Sequence, residues 1–282
     1  MYEIFISWKT GAKKGCIRFF VSPIWEADMK KKLSIVISAV VLAKNEAVRI
    51  RECLDSLAWA DEIIVVDNNS EDNTVEIAQK TGATVVTSNA TNFSILRTIG
   101  MDAAKGEWVL YVDADEIVST PLELEICRLL RGFSRAVDPV CYFISRKNYY
   151  LGVLWPVGDR MQRLIYKSSF VRWVGSLHET AIVRGSTGIL KHELIHHTHR
   201  NLEEMTEKTN TWSDEEARLR IASKHKNVLT WRFFRVFITG FIRSFFKESG
   251  WRAGVRGWIE SLYQGFSMVI TYIKLWELQQ KS

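Results

Sequence analysis

The pattern of hydrophobic and polar positions divides the first half of the chain into alternating strands and helices. Residues 33–43 are almost entirely apolar, which predicts a strand buried on both faces. Apolar positions at helical spacing follow over residues 47–58. The alternation continues with a predicted strand over 62–66, a helix over 74–81 and a strand over 83–87. This order is typical of right-handed βαβ units, so we expect a parallel sheet.

A further buried strand is predicted over residues 108–116, and it ends in carboxylates. Apolar residues come first, and Asp113, Asp115 and Glu116 follow. Side chains two positions apart on a strand point the same way, so Asp113 and Asp115 should converge and repel each other. A hard divalent cation, Mg²⁺ or Mn²⁺, would relieve that repulsion. The alternative is a solvated acidic turn at a strand end.

Polar residues end each predicted strand on the same side of the sheet. Glu46 follows the first strand, Asp67 and Asn69 follow the second, and Asp113 ends the fourth. Ligands of open parallel sheets bind outside the carboxyl ends of the strands. Carboxylates and amides there suit the base and ribose of a nucleoside, while a metal carries the phosphates. The chain contains no glycine-rich phosphate loop, which argues against a P-loop or dinucleotide-binding fold.

Four ordered segments give these residues a family context. The segments are 40–46 (VVLAKNE), 60–74 (ADEIIVVDNNSEDNT), 92–97 (NFSILR) and 106–116 (GEWVLYVDADE). Together they resemble a family-2 glycosyltransferase, and more narrowly the branch of bacterial lipopolysaccharide-core β-glycosyltransferases. The resemblance covers about residues 35–200. It implies an α/β fold of the GT-A type, Rossmann-like, with a mostly parallel central sheet flanked by helices. It also implies inverting transfer from a nucleotide-activated sugar with a divalent metal.

The resemblance further assigns roles to single residues. Asp67 would contact the base, Glu46 and Asp113 the nucleoside, and Arg97 the nucleotide. Asp115 would bind the metal, with Asp113 as a second candidate ligand.

Candidates for the transfer step lie further along the chain. His178 and Glu179 match the place where the family carries a His-Glu pair near the transfer site. Inversion needs a base for the acceptor hydroxyl, so we assign Glu179 as base, with His178 as its neighbour or rival. Arg163, and with less support Arg160, could pair with a diphosphate, although ordinary surface arginines are the alternative.

Residues 192–196, HELIH, match the HExxH pattern of zinc metalloproteases. That pattern needs a helix, whereas His192, Leu194 and His196 alternate with other residues as on a strand. We therefore favour a strand here, with His196 as a minor candidate for the site.

The C-terminal region reads as amphipathic helices. Residues 201–224 form a charged helix, and from residue 228 a cationic stripe faces a wide aromatic surface. The stripe consists of Arg232, Arg235, Arg243 and Lys247, and continues after Gly250 with Arg252 and Arg256. Such a pattern is typical of a helix lying in the plane of an anionic membrane surface. A buried hairpin or a dimer face is the alternative.

Composition sets the broad class of protein. The chain has 282 residues and a formal net charge of +6. Its four cysteines are widely separated without a CxxC pair, which indicates a reducing, cytoplasmic setting. We expect an extension over residues 1–32, a catalytic domain over 33–200 and a helical region over 201–282.

These observations predict an inverting glycosyltransferase at the inner face of the plasma membrane. It would move a sugar from a nucleotide-sugar donor to a lipid-linked or cell-envelope glycan, without a nucleic-acid partner. A sugar-phosphate nucleotidyltransferase is the main alternative, because it shares α/β architecture and acidic metal ligands. A zinc metalloprotease and a non-catalytic membrane adaptor are weaker alternatives.

Overall fold

The computed structural model describes residues 3–7, 16–20, 36–90, 92–175, 179–198 and 200–281. The first two strands, β1 (Glu3–Ser7) and β2 (Cys16–Phe20), pair with each other in an antiparallel two-stranded sheet. All other strands in the described residues belong to a central sheet or to a second small sheet.

The central sheet has nine strands and carries the site. In chain order the remaining strands are β3 (Ile37–Ala43), β4 (Glu62–Asp67), β5 (Thr84–Thr87), β6 (Trp108–Asp113), β7 (Glu116–Val118), β8 (Cys141–Tyr150), β9 (Val153–Leu154), β10 (Arg160–Tyr166), β11 (Phe170–Val174), β12 (Thr180–Val183) and β13 (Thr187–Thr198). The order across the sheet is β5, β4, β3, β6, β10, β8, β13, β7, with β9 paired to β8. The small sheet pairs β11 with β12.

Most strands of the central sheet run in one direction. β3 is parallel to β4 and β6, β4 is parallel to β5, and β8 is parallel to β13. β10 lies antiparallel between β6 and β8, so those two groups share one direction. β7 and β9 run the other way. The predicted α/β fold with a mostly parallel central sheet is therefore confirmed.

Seven α-helices are described. They are α1 (Ile50–Asp55), α2 (Thr74–Lys80), α3 (Phe93–Ala103), α4 (Thr120–Gly132), α5 (Leu202–Ala222), α6 (Thr230–Ile242) and α7 (Gly254–Lys281). A π-helical turn (Arg243–Lys247) and a 3₁₀ turn (Gly250–Ala253) join α6 to α7. The predicted helix over 47–58 is shorter than expected, because residues 47–49 and 56–59 form turns.

Strand β3 is buried on both faces, as its continuous apolar sequence predicts. Ala39 and Val41 belong to a core that includes Leu54 of α1 and Ile126 of α4. Val40 and Leu42 belong to a second core, which includes residues of α3 and of the small sheet. Helices therefore cover both faces of the sheet, and its edge is left for a ligand.

The three C-terminal helices form a unit with its own small core. Ala217 of α5, Val236 of α6 and Leu275 of α7 pack together there. α6 and α7 approach closely where Gly240 faces Gly265, since a Cβ on either glycine would meet the backbone of the other helix. None of the helices in the described part of the chain is both long enough and apolar enough to cross a bilayer.

Candidate active site

Two loops at the carboxyl ends of β3 and β4 are held together by hydrogen bonds. The Asn45 amide donates to the Ser70 hydroxyl (2.9 Å), and the Glu46 amide donates to the Thr74 hydroxyl (2.8 Å). Asn45 adopts a left-handed backbone conformation with φ of 54°, which asparagine tolerates well. The sequence places these residues 25 or more positions apart, but parallel pairing of β3 with β4 brings them to one edge.

Asp67 lies at the end of β4 and offers a free hydrogen-bond acceptor. Its Oδ2 atom accepts from the Ser70 amide (3.1 Å), whereas Oδ1 is buried and has no hydrogen-bond partner among the described residues. An unpaired buried carboxylate oxygen is costly unless a ligand supplies the missing donor. Asn69, with φ of 56°, is exposed two residues further on. Both predicted nucleoside contacts therefore stand at the same edge.

Asp113 ends β6 and is held by two arginines. Arg163 donates from both terminal nitrogens to the two carboxylate oxygens (3.0 and 2.6 Å), and Arg97 donates to Oδ1 (3.3 Å). Arg163 also binds the fully buried Glu116 (2.7 Å). Burial alone would raise the pKa of Asp113, but the two guanidinium groups hold it well below its ordinary value. Asp113 is therefore ionised at neutral pH.

Arg163 reaches Asp113 because of an irregularity in β10. The pairing of β10 with β8 shifts register between Gln162 and Leu164, so Arg163 lies within a bulge. A bulge changes the direction of a side chain relative to a regular strand. Arg163 is almost completely buried, and its partners are carboxylates. Its predicted contact with a diphosphate stays a prediction.

The chain turns before Asp115, contrary to the expected continuous strand over 108–116. β6 ends at Asp113, residues 114 and 115 form a turn, and β7 starts at Glu116. Asp113 and Asp115 consequently have different cationic partners, although the charge of Asp115 still acts on the pKa of Asp113. The regular strand alternation that predicts their convergence is absent, because residues 114 and 115 form a turn.

Asp115 binds three basic side chains through one oxygen. Its Oδ2 lies 3.0 Å from Lys208 Nζ, 3.3 Å from His196 Nε2 and 3.5 Å from an Arg49 nitrogen. Burial would raise the pKa of Asp115, but His196 and Lys208 hold it far below its ordinary value. The sequence predicts neither Lys208 nor Arg49 as a site residue, because both come from segments that show only amphipathic helical spacing.

Arg97 connects Asp113 to Glu179, the predicted base. Its Nε donates to Glu179 Oε1 (2.5 Å), and its NH2 group donates to Asp113 (3.3 Å). Arg97 is itself positioned beneath Tyr111, whose hydroxyl donates to the Arg97 carbonyl (2.6 Å). The structure thus brings Glu179, Arg97 and Asp113 together, although Glu179 and Asp113 lie far apart in sequence. His178 lies outside the described residues.

Glu46 has an environment unlike those of the two aspartates. Burial raises its pKa to about 7, and the negative charge of Asp115 contributes to the rise. Arg49 lies 3.2 Å away and opposes this effect only in part. Glu46 can consequently hold or release a proton near neutral pH, beside the proposed nucleoside contacts.

The HELIH segment lies within β13, which confirms the predicted strand. His192 Nδ1 lies 2.8 Å from Glu125, whereas His196 Nδ1 lies 2.8 Å from Asn148 Oδ1. The two histidines thus have separate partners, and the helical geometry of a zinc metalloprotease is not present. Arg160, the weaker diphosphate candidate, lines a separate surface cavity with Trp155 and Lys147.

Asp115 and His196 offer the donor set that a divalent metal would need. Asn148 donates to Asp159 (3.1 Å) through its amide nitrogen, so its oxygen faces His196 Nδ1 and accepts a hydrogen bond from it. His196 Nε2 therefore faces Asp115, and it becomes a ligand when it carries no proton. In the described part of the chain, no group of three or more His, Cys, Asp or Glu residues could hold a metal alone. One carboxylate, one imidazole and phosphate oxygens together suit Mg²⁺ or Mn²⁺.

The sequence of this chain is similar to those of known glycosyltransferases. The sequence profile described as "Glycosyl transferase family 2" matches residues 38–179, about half of the chain. The protein named uncharacterized glycosyltransferase RC0292 of Rickettsia conorii is 28% identical over 267 residues, covering 90% of this chain and 94% of the relative. Lipopolysaccharide core biosynthesis glycosyltransferase LpsC of Rhizobium meliloti is 23% identical, covering 86% of this chain and 92% of the relative.

Solved structures that align with this chain include two bacterial proteins. S. aureus TarS residues 1–349, in complex with UDP-GlcNAc, aligns with a TM-score of 0.44 and 15% identity, covering 87% of this chain and 92% of that chain. Glucosyl-3-phosphoglycerate synthase of Mycobacterium tuberculosis, in complex with Mn²⁺, UDP and phosphoglyceric acid, aligns with a TM-score of 0.41 and 22% identity. The alignment covers 65% of this chain and 77% of that chain.

Proposed function

The chain belongs to glycosyl transferase family 2, and from this premise we propose that it is an inverting sugar transferase with a nucleotide-sugar donor. The observation that carries the proposal is a sheet edge at which Asp67 and Asp113 end strands β4 and β6, with Asp113, Asp115 and Glu179 each paired to a basic side chain. An anionic donor and its leaving diphosphate are the ligands that such an arrangement suits.

The donor's nucleoside lies against the ends of β3 and β4 in this proposal. The unpaired Oδ1 of Asp67 accepts a hydrogen bond from the base or the ribose, and Asn69 and Glu46 provide further contacts. Asp113 completes this wall. Arg97 and Arg163 hold the Asp113 carboxylate in one orientation, so we give Arg163 a positioning role.

Asp115 and His196 would hold a divalent metal. The metal supplies positive charge that stabilises the negative charge on the departing diphosphate. Asp115 is suited to this because it is ionised and lies in a largely buried setting. Asn148 accepts a hydrogen bond from His196 Nδ1 and so keeps Nε2 directed toward Asp115.

The transfer step uses Glu179 as base. An oxygen of the acceptor hydroxyl attacks the anomeric carbon as the bond from that carbon to the diphosphate oxygen breaks on the opposite side. The hydroxyl proton passes to Glu179, and the nucleoside diphosphate leaves with the electron pair of the broken bond. Arg97 holds Glu179 Oε1, so we assign the proton to Oε2. Attack opposite to the leaving group inverts the anomeric configuration.

We place the acceptor in the cell envelope and the enzyme at an anionic membrane surface. The name of the relative LpsC supports an envelope glycan as acceptor. The exposed side of α6 and α7 supports the membrane. Large apolar side chains follow one stripe of each helix, namely Trp231, Phe234, Ile238 and Ile242 on α6 and Val255, Trp258, Ile259, Leu262, Phe266, Ile273 and Trp276 on α7. Arg235 and Arg243 are exposed beside the α6 stripe.

Calorimetric titration tests the donor site. The full-length protein is titrated with ADP, CDP, GDP and UDP, each with Mn²⁺ and with a chelator. We expect one nucleotide to bind in a metal-dependent manner and Asp115→Ala to abolish that dependence, because the variant loses the carboxylate ligand. Asp102→Ala, which removes a carboxylate from the exposed side of α3, is the matched control. Metal-dependent binding that is unchanged in Asp115→Ala would contradict the assigned role of Asp115.

A further inference from the structure

One stripe of α5 faces the acidic edge of the sheet. Glu204 forms an ion pair with Arg49, Lys208 forms one with Asp115 (3.0 Å), and Trp212 stacks on Phe93 at the start of α3 (5.4 Å between ring centroids). The three α5 residues are four positions apart, so they lie on the same side of the helix. The stripe therefore brings a lysine to the acidic pair in a fixed position.

Lys208 is the most accessible of the five described Lys and Arg residues that form ion pairs with Asp113, Asp115 or Glu116. Its side chain is 27% exposed, whereas those of Arg163 and Arg97 are 1% and 4% exposed. Arg49 and Arg146 lie between these values, at 12% and 15%. Arg163 and Arg97 are already engaged with carboxylates on more than one side. An anion that approaches Asp115 from solvent therefore meets Lys208 first among these five cations.

We propose that Lys208 binds the diphosphate of the donor directly and remains bound to it as it leaves. This inference rests on the proposed function, since it assumes a nucleoside diphosphate at the sheet edge. A lysine ammonium has three N–H donors, and Asp115 accepts from one of them. The other two can reach phosphate oxygens while Asp115 holds the ammonium in place. Lys208 thereby adds a permanent positive charge to that of the metal.

The alternative is a purely structural role, in which Lys208 only neutralises the charge of Asp115. In that case the loss of its charge affects Asp115 and the metal, but not the affinity for phosphates. The two roles predict different changes in binding affinity for a nucleoside with its diphosphate and for the nucleoside alone.

The test compares Lys208→Met with the wild-type protein at Mn²⁺ concentrations shown by electron paramagnetic resonance to saturate the site. Calorimetry measures the affinity for the nucleoside diphosphate that the wild-type protein binds, and for the matching nucleoside. We expect the variant to lose roughly 10-fold or more in affinity for the diphosphate, which is typical of one lost charged hydrogen bond. Its affinity for the nucleoside should stay the same. Lys208→Arg should restore most of the loss, because it keeps the charge.

Lys274→Met is the matched control for displacement of α5. Lys274 of α7 donates to Asn210 of α5 (2.8 Å) and pairs with Asp214 (2.8 Å), away from Asp115. The control should bind both ligands as the wild-type protein does, and thermal unfolding checks that each variant is folded.

Three results would overturn the inference. An unchanged affinity of Lys208→Met for the diphosphate would leave Lys208 as a counter-ion of Asp115. Equal losses for diphosphate and nucleoside would indicate a displaced helix. Both of these results would leave the proposed function standing. If the wild-type protein bound no nucleoside diphosphate, the proposed function would fail together with the inference.

Discussion

At the scale of single residues, the site is a network of buried charges that depend on one another. Arg163 lies between Asp113 and Glu116, and Arg97 lies between Asp113 and Glu179. Each guanidinium group therefore holds two carboxylates. Buried ion pairs of this kind contribute little net stability compared with apolar packing, but the removal of one member leaves an uncompensated charge. The network thus fixes geometry at the expense of tolerance to substitution.

Arg163→Met should destabilise the protein strongly. The change leaves the buried Glu116 and the partly buried Asp113 without their shared cation, and we expect a loss of about 3 kcal/mol or more in the free energy of unfolding. Arg160→Met, an exposed position on the same strand, should cost less than about 0.5 kcal/mol. Urea denaturation measures both variants. Equal losses would show that the charge network around Arg163 has no special weight.

Glu46 should make stability fall as the pH rises. Its pKa is about 7 in the folded protein against an ordinary value of 4.5, so between these values the unfolded chain releases a proton that the folded protein retains. Up to about 3 kcal/mol of stability is lost across that window, and no more is lost above it. Glu46→Gln should remove this part of the pH dependence.

Urea denaturation at pH 5 and pH 8, in the presence of a chelator, measures the effect. Glu71→Gln, an exposed position in the neighbouring loop, is the control and should follow the wild-type protein. If Glu46→Gln and the wild-type protein lost the same stability between the two pH values, the raised pKa would not exist.

At the scale of elements, helix α5 connects the site to α7, and α7 packs closely against α6. α5 contacts the acidic edge through Lys208 and contacts α7 through Thr209, which accepts from the Tyr263 hydroxyl (2.9 Å). The close contact of α6 with α7 depends on two glycines that lack a Cβ. A Cβ on Gly265 would stand 2.8 Å from the Phe237 carbonyl oxygen, and one on Gly240 would stand 2.9 Å from the Gln264 carbonyl oxygen.

Gly265→Ala should destabilise the helix pair, although alanine favours helices. The added methyl group meets the backbone and ring of Phe237, so the helices must separate, at a cost of about 1–3 kcal/mol. Gly132→Ala at the end of α4 is the control, since its Cβ would meet open space. Thermal unfolding compares the two. A higher melting temperature for Gly265→Ala would mean that helix propensity outweighs packing here.

The elements of the sheet were predictable, and several contacts between them were not. The strands β3, β4, β5 and β6 agree with their apolar patterns to within a few residues. The bulge that directs Arg163 to Asp113 was not visible, because a register shift depends on the partner strand. The turn that removes Asp115 from the strand was also missed, since Ala114 and Asp115 continue the expected alternation. Glu46, Asp67 and Asp113 nevertheless lie at or just after the carboxyl ends of β3, β4 and β6, as their positions in the sequence indicate.

At the scale of the whole molecule, an apolar stripe is left uncovered on the C-terminal helices. Part of the aromatic surface of α6 and of the π-helical turn after it packs inward, since Phe245 of the turn is buried and stacks on Phe241, while Phe234 remains 71% exposed. Trp258 contacts both Phe241 and Phe245 and is itself half exposed, so the aromatic residues at the end of α6 and the start of α7 adjoin. A membrane surface covers such an aromatic and cationic face without the shape complementarity that a protein partner needs.

The full-length protein should bind vesicles that contain phosphatidylglycerol, and binding should weaken as salt is raised, because arginines contribute to it. Phe234→Ser combined with Ile238→Ser should release the protein in a co-sedimentation assay, since both side chains are exposed on the α6 stripe. Val137→Ser combined with Ile189→Ser, two exposed apolar positions elsewhere, is the control and should bind as the wild-type protein does.

Two results would speak against the membrane assignment. One is that the wild-type protein does not sediment with anionic vesicles. The other is a concentration-dependent dimer in sedimentation equilibrium that the α6 variant abolishes, which would make the stripe an interface between two copies of the chain.

The sequence by itself determined the fold class and the family, and it predicted the sheet edge for the site. These follow from local pattern, because strand and helix periods and the residues at strand ends are properties of short segments. Only the tertiary structure decided which charges meet. Arg163 faces Asp113 through a bulge, His196 faces Asp115 from β13, and Lys208 reaches Asp115 from α5. Such contacts depend on where distant segments pack, and the spacing of residues along the chain does not encode that.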